Sequence, residues 1–228
     1  MGHCLAGRVV AIPSGTTAMG VTVAQLIAEE EGYLVLGAAT VAQVKVVDAA
    51  LPMASSAYAM QVDLDRPKSV DEFFRIAIGQ FGRVDAIVLE SAKIAPRGAV
   101  TEKALGLAAR RMLHCLDAAL RYAVGDLHVI NIAPVAGRYA IPVATAFLGA
   151  KLATSRGGEV LAPVVRMSVI SAFDGAHSDE GSVARTVLHA LREARMPDVS
   201  EAILGCRREQ PRGSAKSDAK RSNMTVAI

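Results

Sequence analysis

Short apolar segments alternate along this chain with longer segments in which apolar residues recur every three or four positions. The first apolar segment, Val9–Ile12, precedes a helical pattern over residues 18–31, and Gly32 is expected to end that helix. Alternation of this kind is typical of βαβ units, in which a helix joins two parallel strands. Further strands are predicted at residues 34–36, 58–62, 86–89, 128–132, 166–170 and 202–204.

Three more helices are predicted between these strands. The segment Ser69-Val70-Asp71-Glu72 is typical of a capping box and is expected to open a helix that runs to Gly82. Helical patterns also cover roughly residues 105–122 and 182–194. The strands are apolar throughout, as expected when helices cover both faces of a sheet. We therefore predict a single α/β domain, Rossmann-like, with a doubly wound parallel sheet of about seven strands.

Composition and charge limit the classes of function. Of the 228 residues, 52% are hydrophobic and 21% are charged, which favours a globular domain over disorder. The net charge is +3, but residues 207–228 hold six basic and two acidic residues, so the rest of the chain carries −1. A near-neutral body disfavours nucleic-acid binding, and the basic tail is predicted to be disordered.

The cysteines and the hydropathy of the chain bear on the cellular location of the protein more than on its functional site. Cys4, Cys115 and Cys206 are far apart, which indicates neither a metal cluster nor a disulfide framework. No apolar run approaches the roughly 20 residues of a membrane helix, and the N-terminus does not resemble a signal peptide. We expect a cytoplasmic protein with no metal, no membrane contact and no nucleic-acid partner.

Several short segments match one protein family in their order and spacing. They include Ala6-Gly7-Arg8-Val9-Val10, Val62-Asp63-Leu64-Asp65, Phe81-Gly82-Arg83-Val84-Asp85, Val129-Ile130-Asn131-Ile132 and Val135-Ala136-Gly137-Arg138-Tyr139. Together they resemble the short-chain dehydrogenase/reductase (SDR) family over residues 1–206, leaving residues 207–228 as a tail. The resemblance implies a Rossmann-like domain, an NAD or NADP cofactor, and a dimer, a tetramer or a mixed oligomer with a homologue.

The resemblance places a cofactor-binding turn at residues 13–20. Family members usually read Thr-Gly-x-x-x-Gly-x-Gly there, which lets the backbone approach the pyrophosphate at a helix N-terminus. In this chain Ser14 and Ala18 replace two of those glycines, and Gly20 is retained. The turn is either a phosphate cradle that uses hydroxyl groups or an ordinary strand-to-helix turn. Its candidate cofactor-binding residues are Ser14, Gly15, Thr16, Thr17, Met19 and Gly20.

Two further cofactor-binding candidates follow later strands. Asp63 matches the adenine-side aspartate of the family, although it is also placed to cap the loop after the third strand. Ala92 falls where the family has Asn-Asn-Ala-Gly, and the neighbouring Glu90 is expected to weaken nucleotide binding unless Lys93 neutralises it. Residues 38–40 offer no charged group, so the choice between NAD and NADP stays open.

The catalytic residues implied by the family are a serine, a tyrosine and a lysine. Lys151 stands at the lysine position, but Pro134 and Phe147 stand at the serine and tyrosine positions and have no hydroxyl group. The supporting asparagine position falls near Ala108. If a nucleotide binds, Lys151 is expected to hold the nicotinamide ribose; otherwise it is an exposed or ion-paired lysine.

Two hypotheses about function therefore stay open. The first is a catalytically impaired member that acts as a non-catalytic binding or scaffold protein. The second is an active NAD(P)H-dependent carbonyl or alcohol oxidoreductase with a relocated acid, for which Tyr139 is the best candidate and His177 or Asp174 are weaker ones. A hydrolase is disfavoured because the chain has no Gly-x-Ser-x-Gly motif.

Overall fold

The computed structural model describes residues 5–51, 56–90, 102–134, 165–172, 180–193 and 200–204. Within these ranges it has seven strands and five helices. The strands are β1 (Val9–Ile12), β2 (Tyr33–Ala38), β3 (Ala57–Gln61), β4 (Ala86–Glu90), β5 (Leu127–Pro134), β6 (Val165–Ala172) and β7 (Ser200–Leu204). The helices are α1 (Ala18–Glu29), α2 (Val41–Ala50), α3 (Pro67–Phe81), α4 (Glu102–Tyr122) and α5 (Glu180–Arg192).

All seven strands join one parallel sheet in the order β3-β2-β1-β4-β5-β6-β7. Strand β1 lies beside both β2 and β4, with Val10 opposite Leu34 on one side and Ala86 on the other. The strand order reverses between β1 and β4, which is where doubly wound sheets bind ligands beyond the carboxyl ends of the strands. The predicted fold class is confirmed.

Helices cover both faces of the sheet, and this explains why its strands are apolar throughout. Val9 and Ala11 of β1 belong to a buried cluster that includes α3 and α4, where Phe73 and Phe74 pack edge to face with ring centroids 5.2 Å apart. Val10 of β1 belongs to the cluster on the opposite face, which includes α1 and α5.

Helix α3 begins earlier than the predicted capping box. Its N-cap is Arg66, which makes no side-chain cap, and Pro67 occupies the first turn. Proline fits this position because its missing N–H has no helical partner there and its φ is already helical. The Ser69 hydroxyl instead accepts a hydrogen bond from the Asp63 N–H at 2.9 Å, so the capping-box prediction is wrong.

The end of α1 also differs in detail from the prediction. The helix stops at Glu29, and Glu31, not Gly32, adopts a left-handed conformation with φ of 58°. Gly32 is required for another reason, because a Cβ atom there would lie 2.6 Å from Cγ2 of Ile27. Helix α2 was not predicted, although Thr40 and Gln43 form a capping box at its start.

Candidate functional site

A cavity of about 440 Å³ opens at the carboxyl ends of β1, β2 and β3. Its walls come from the β1–α1 turn, the end of β2, the β3–α3 loop and helix α4. We call it the carboxyl-edge cavity. The residues in its lining that bear on ligand binding are Ser14, Thr16, Thr17, Gln61, Asp63 and Arg111.

The β1–α1 turn is held by its own hydrogen bonds. The Thr17 hydroxyl accepts from the Gly20 N–H at 2.9 Å and donates to the Ser14 carbonyl at 3.1 Å, so it caps α1. The Ser14 and Thr16 hydroxyls make no hydrogen bond to any described residue. Of the three hydroxyls predicted to form a cradle, two are therefore available to a ligand and the third holds the helix start.

Gly20 is the glycine that this turn requires. A Cβ atom at Gly20 would lie 2.6 Å from the Ser14 carbonyl oxygen and 3.0 Å from backbone atoms of Gly15. Helix and turn backbone meet here, as they do at the third glycine of dinucleotide-binding turns, whose role is close packing. Ala18, which replaces the second glycine, is exposed, so its methyl group is accommodated.

The N-terminus of α1 provides a positive electrostatic potential at the cavity. The first N–H groups of a helix have no intrahelical acceptor, and the helix dipole adds partial positive charge there. Because Thr17 satisfies the Gly20 N–H, the N–H groups of Ala18 and Met19 remain. Helix α1, which is described over its whole length, has no acidic residue in its first turn, so nothing there competes with an anion.

The β3–α3 loop and helix α4 form the opposite wall of the cavity. Asp63 accepts a hydrogen bond from the Asp65 N–H at 3.0 Å, and its carboxylate lies 3.3 Å from Nε of Arg66. Asp63 therefore does cap the loop, one of the two roles inferred from the sequence. Its carboxylate also lines the cavity, where acceptor capacity remains for a ligand.

Arg111 of α4 is a site residue that the sequence did not indicate. Its guanidinium donates to both carboxylate oxygens of Asp65, from Nε at 2.8 Å and from Nη2 at 2.6 Å. This hydrogen bonding lowers the pKa of Asp65 and raises the pKa of Arg111. Nothing in the local sequence marks Arg111, because only the packing of α4 against the β3–α3 loop brings it to the cavity.

The edge of the cavity beside β2 carries neutral groups. The Thr40 hydroxyl caps α2 through the Gln43 N–H, and the Gln61 side chain donates to the Ala39 carbonyl at 3.1 Å. Among the described residues of this edge there is neither a carboxylate nor a basic group at the position where the SDR family distinguishes NAD from NADP.

The candidate catalytic side chains are not described. Pro134 ends β5, where its backbone pairs in register with Ala172 of β6. Glu90 ends β4 with a partly buried side chain, and the position of the family asparagine, Ala108, is buried on α4. The other predicted residues lie outside the described ranges: Ala92, Lys93, Tyr139, Phe147, Lys151, Asp174 and His177.

The described residues show neither a metal site nor a membrane-spanning helix. No group of His, Cys, Asp and Glu side chains in those ranges is arranged to hold a metal ion. No helix there is both long enough and apolar enough to cross a membrane.

Replacing Thr17 with alanine is expected to destabilise the protein by about 1 kcal/mol, because the Gly20 N–H loses its cap. Urea unfolding measures the change. Thr22→Ala is the control, since the Thr22 hydroxyl bonds only back to the Ala18 carbonyl within the same helix. Equal losses in the two variants would contradict the capping role of Thr17.

The fold is that of solved short-chain dehydrogenases/reductases. A double mutant of such an enzyme from Serratia marcescens superposes with a TM-score of 0.66 at 15% identity, over 88% of this chain and 98% of that chain. A citronellol catabolism dehydrogenase of Pseudomonas aeruginosa gives 0.68 at 12% identity, over 89% and 96%.

A third solved structure, a metagenomic short-chain oxidoreductase in complex with NADP, gives a TM-score of 0.62 at 19% identity, over 88% of this chain and 97% of that chain. No family model and no curated protein sequence matches this chain. The resemblance to the SDR family is confirmed at the level of the fold.

Proposed function

We propose that this protein binds a nicotinamide adenine dinucleotide in the carboxyl-edge cavity and has lost the family's mechanism of hydride transfer. The observation that carries the proposal is the N-terminus of α1, with its unpaired first N–H groups, beside the hydroxyls of Ser14 and Thr16, which make no hydrogen bond to any described residue. A pyrophosphate placed there would meet N–H and O–H donors and a favourable helix dipole. The NADP bound by the metagenomic relative supports this choice of ligand.

Each part of the cavity has a role toward such a ligand. Gly20 lets the helix approach the turn, and the N–H groups of Ala18 and Met19 face no acidic competitor. Asp63 is the candidate adenine contact, and Arg111 fixes the adjacent loop through Asp65. Lys151, by its position in the family pattern, is the candidate for the nicotinamide ribose.

The chemical step is where this chain departs from the family. A reduced nicotinamide, when bound, supplies a hydride, and the protein must supply the proton. Phe147 has no proton to donate, and Pro134 has no hydroxyl with which to polarise a carbonyl. A positioned general acid contributes about 10²–10⁴-fold to a rate, so loss of both groups predicts very slow turnover.

Titration with NADH and with NADPH tests the binding half of the proposal. The chain has no tryptophan, so nucleotide fluorescence is free of tryptophan emission. We expect micromolar to submillimolar binding of at least one nucleotide. The Thr16→Val variant should bind several-fold more weakly, because it loses a donor to the phosphates at constant shape.

The matched control is Thr22→Val, which makes the same substitution on helix α1, outside the cavity lining. Its affinity should equal that of the wild type. Absence of binding up to millimolar nucleotide would overturn the proposal, and so would equal losses in Thr16→Val and Thr22→Val.

The catalytic half of the proposal is tested by restoring the missing groups. Pro134→Ser combined with Phe147→Tyr should raise turnover of carbonyl substrates above that of the wild type, with either nucleotide. Robust turnover by the wild type would contradict the proposal, and its loss in Tyr139→Phe would favour the relocated acid. The oligomer implied by the resemblance stays a prediction, which light scattering of the purified protein tests.

A further inference from the structure

A second cavity, of about 420 Å³, lies at the opposite edge of the sheet. Its charged lining residues lie near strand starts: Arg8 before β1, Arg83 and Asp85 before β4, Asp126 before β5 and Arg166 within the start of β6. Amino ends of parallel strands share one edge of a sheet, so this cavity lies away from the carboxyl-edge cavity. We call it the amino-edge cavity.

One carboxylate that lines this cavity, that of Asp85, already accepts hydrogen bonds from other groups of the protein. Asp85 is 8% exposed, and its Oδ2 accepts from the Val9 N–H at 2.8 Å. Its Oδ1 accepts from Nε of Arg83 at 2.8 Å. Asp85 thus joins the start of β4 to β1 and neutralises Arg83, and it has little capacity left for other cations.

Among the described residues, neither Arg8 nor Arg166 forms an ion pair with a carboxylate. Nη1 of Arg8 donates to the Leu191 carbonyl at 2.6 Å, a neutral acceptor that leaves the charge of Arg8 in place. Nε of Arg166 is out of contact with solvent and has no acceptor among the described residues. Burial lowers the pKa of Arg8; Asp85 opposes this effect, while the charges of Arg166 and Arg83 add to it.

The same positive charges affect the pKa of a buried histidine near the cavity. His128 is 5% exposed, and its Nε2 lies 2.8 Å from the Ser168 hydroxyl. Burial lowers the pKa of His128 to about 4, and the charges of Arg166 and Arg8 act in the same direction. The positive charges of Arg166 and Arg8 thus act together at this edge of the sheet, beside a buried imidazole.

We propose that the amino-edge cavity binds a small phosphate monoester, whose phosphate oxygens accept hydrogen bonds from Arg166 and Arg8. The guanidinium fork matches phosphate oxygens, and a phosphate monoester carries about −1.5 to −2 charges at neutral pH. The lining holds three arginines and two aspartates, a net charge of +1 that attracts an anion, and a phosphate offers more acceptor oxygens to the two guanidinium groups than a carboxylate does. A nearby anion also compensates electrostatically for the buried Nε–H of Arg166, which has no acceptor among the described residues.

The size of the cavity and its rim indicate a ligand larger than inorganic phosphate. A volume of about 420 Å³ leaves room for an organic group beside the phosphate. Asp126 is exposed at the lining and has no ion pair with the described residues, so its carboxylate is available to a ligand hydroxyl. A phosphate monoester that carries a hydroxyl group would contact the arginines through its phosphate and Asp126 through its hydroxyl.

Calorimetric titration with inorganic phosphate and with glycerol 1-phosphate, at constant ionic strength set by chloride, tests the proposal. We expect both to bind, and glycerol 1-phosphate to bind more tightly. Arg166→Gln should weaken both at least about tenfold, because a charge-assisted hydrogen bond is lost. Arg75→Gln, which removes the same charge from the exposed face of α3, should leave both affinities unchanged.

Further variants keep the test decisive. Arg166→Lys retains the charge without the fork and should bind with intermediate affinity, and thermal melting checks that each variant is folded. Asp126→Asn should weaken glycerol 1-phosphate but not inorganic phosphate. No binding of either probe would overturn the proposal. Binding that survives Arg166→Gln but is displaced by NADH or weakened by Thr16→Val would place the phosphate in the carboxyl-edge cavity, and would also overturn it.

Discussion

Replacing Gly37 with valine is expected to destabilise the protein by about 3 kcal/mol. Gly37 lies in β2 against the start of the β1–α1 turn, where a Cβ atom would be 2.1 Å from the Pro13 carbonyl oxygen. The same atom would be 2.5 Å from Cγ1 of Val62. A backbone carbonyl cannot rotate away as a side chain can, so the turn or the strand must shift.

Urea unfolding of Gly37→Val measures this effect, and Gly79→Ala is its matched control. Gly79 lies inside α3, and a Cβ atom there would meet nothing within 4 Å. Alanine should therefore stabilise that helix by about 0.5–1 kcal/mol. A Gly37→Val variant as stable as the wild type would contradict the prediction, because the β1–α1 turn would then accommodate the added side chain without cost.

The consequence for binding follows from the same contact. Gly37 and Pro13 both line the carboxyl-edge cavity. The smaller substitution Gly37→Ala already requires the turn to move, so its nucleotide affinity should fall even where the variant remains folded. Gly79→Ala should leave that affinity unchanged, because α3 at this position lies outside the cavity lining.

Acidification is expected to remove about 2 kcal/mol of stability between pH 7.5 and pH 5.0 through His128 alone. The pKa of His128 is lowered to about 4 in the folded protein, against about 6.5 for an unperturbed histidine. The unfolded chain therefore binds more protons over this interval. The stabilisation is complete above pH 6.5 and is lost as the pH falls toward 4.

Comparing the pH dependence of unfolding in the wild type and in His128→Gln isolates this contribution from that of the carboxylates. We expect the loss between pH 7.5 and pH 5.0 to be smaller by about 2 kcal/mol in the variant. Thr22→Val is the control, because it removes an exposed hydroxyl of α1 that does not titrate over this interval. An unaltered pH dependence in His128→Gln would contradict the buried neutral imidazole.

The two cavities divide the sheet into edges with different chemistry. The carboxyl-edge cavity, where we propose a dinucleotide, combines hydroxyls with Asp63, Asp65 and Arg111. At the amino edge, Arg8 and Arg166 surround a space suited to a smaller anion. The two proposed sites have no lining residue in common, so variants of one site should leave binding at the other unchanged.

The sequence alone determined the fold class of this protein, because the signals for a parallel sheet are local. Apolar strands such as β1 and β4 and the helical patterns between them indicate which segments are covered on both faces. The helix boundaries were predicted less accurately than the fold class. Helix α3 begins at Pro67, before its predicted start. The capping box of Thr40 and Gln43 marks helix α2, which was not predicted. The missing hydroxyls at Pro134 and Phe147 are likewise facts of the sequence.

The tertiary structure decided which side chains meet and which are already in use. The sequence predicts that the Thr17 hydroxyl contacts a phosphate, but in the structure it caps α1. No sequence motif marks Arg111 as a site residue. Arg8 and Arg166 are far apart in the chain and meet only because parallel pairing sets the amino ends of β1, β4, β5 and β6 side by side. Periodicity records which face of an element is buried, whereas hydrogen bonds and charge contacts depend on positions that only the packed sheet fixes.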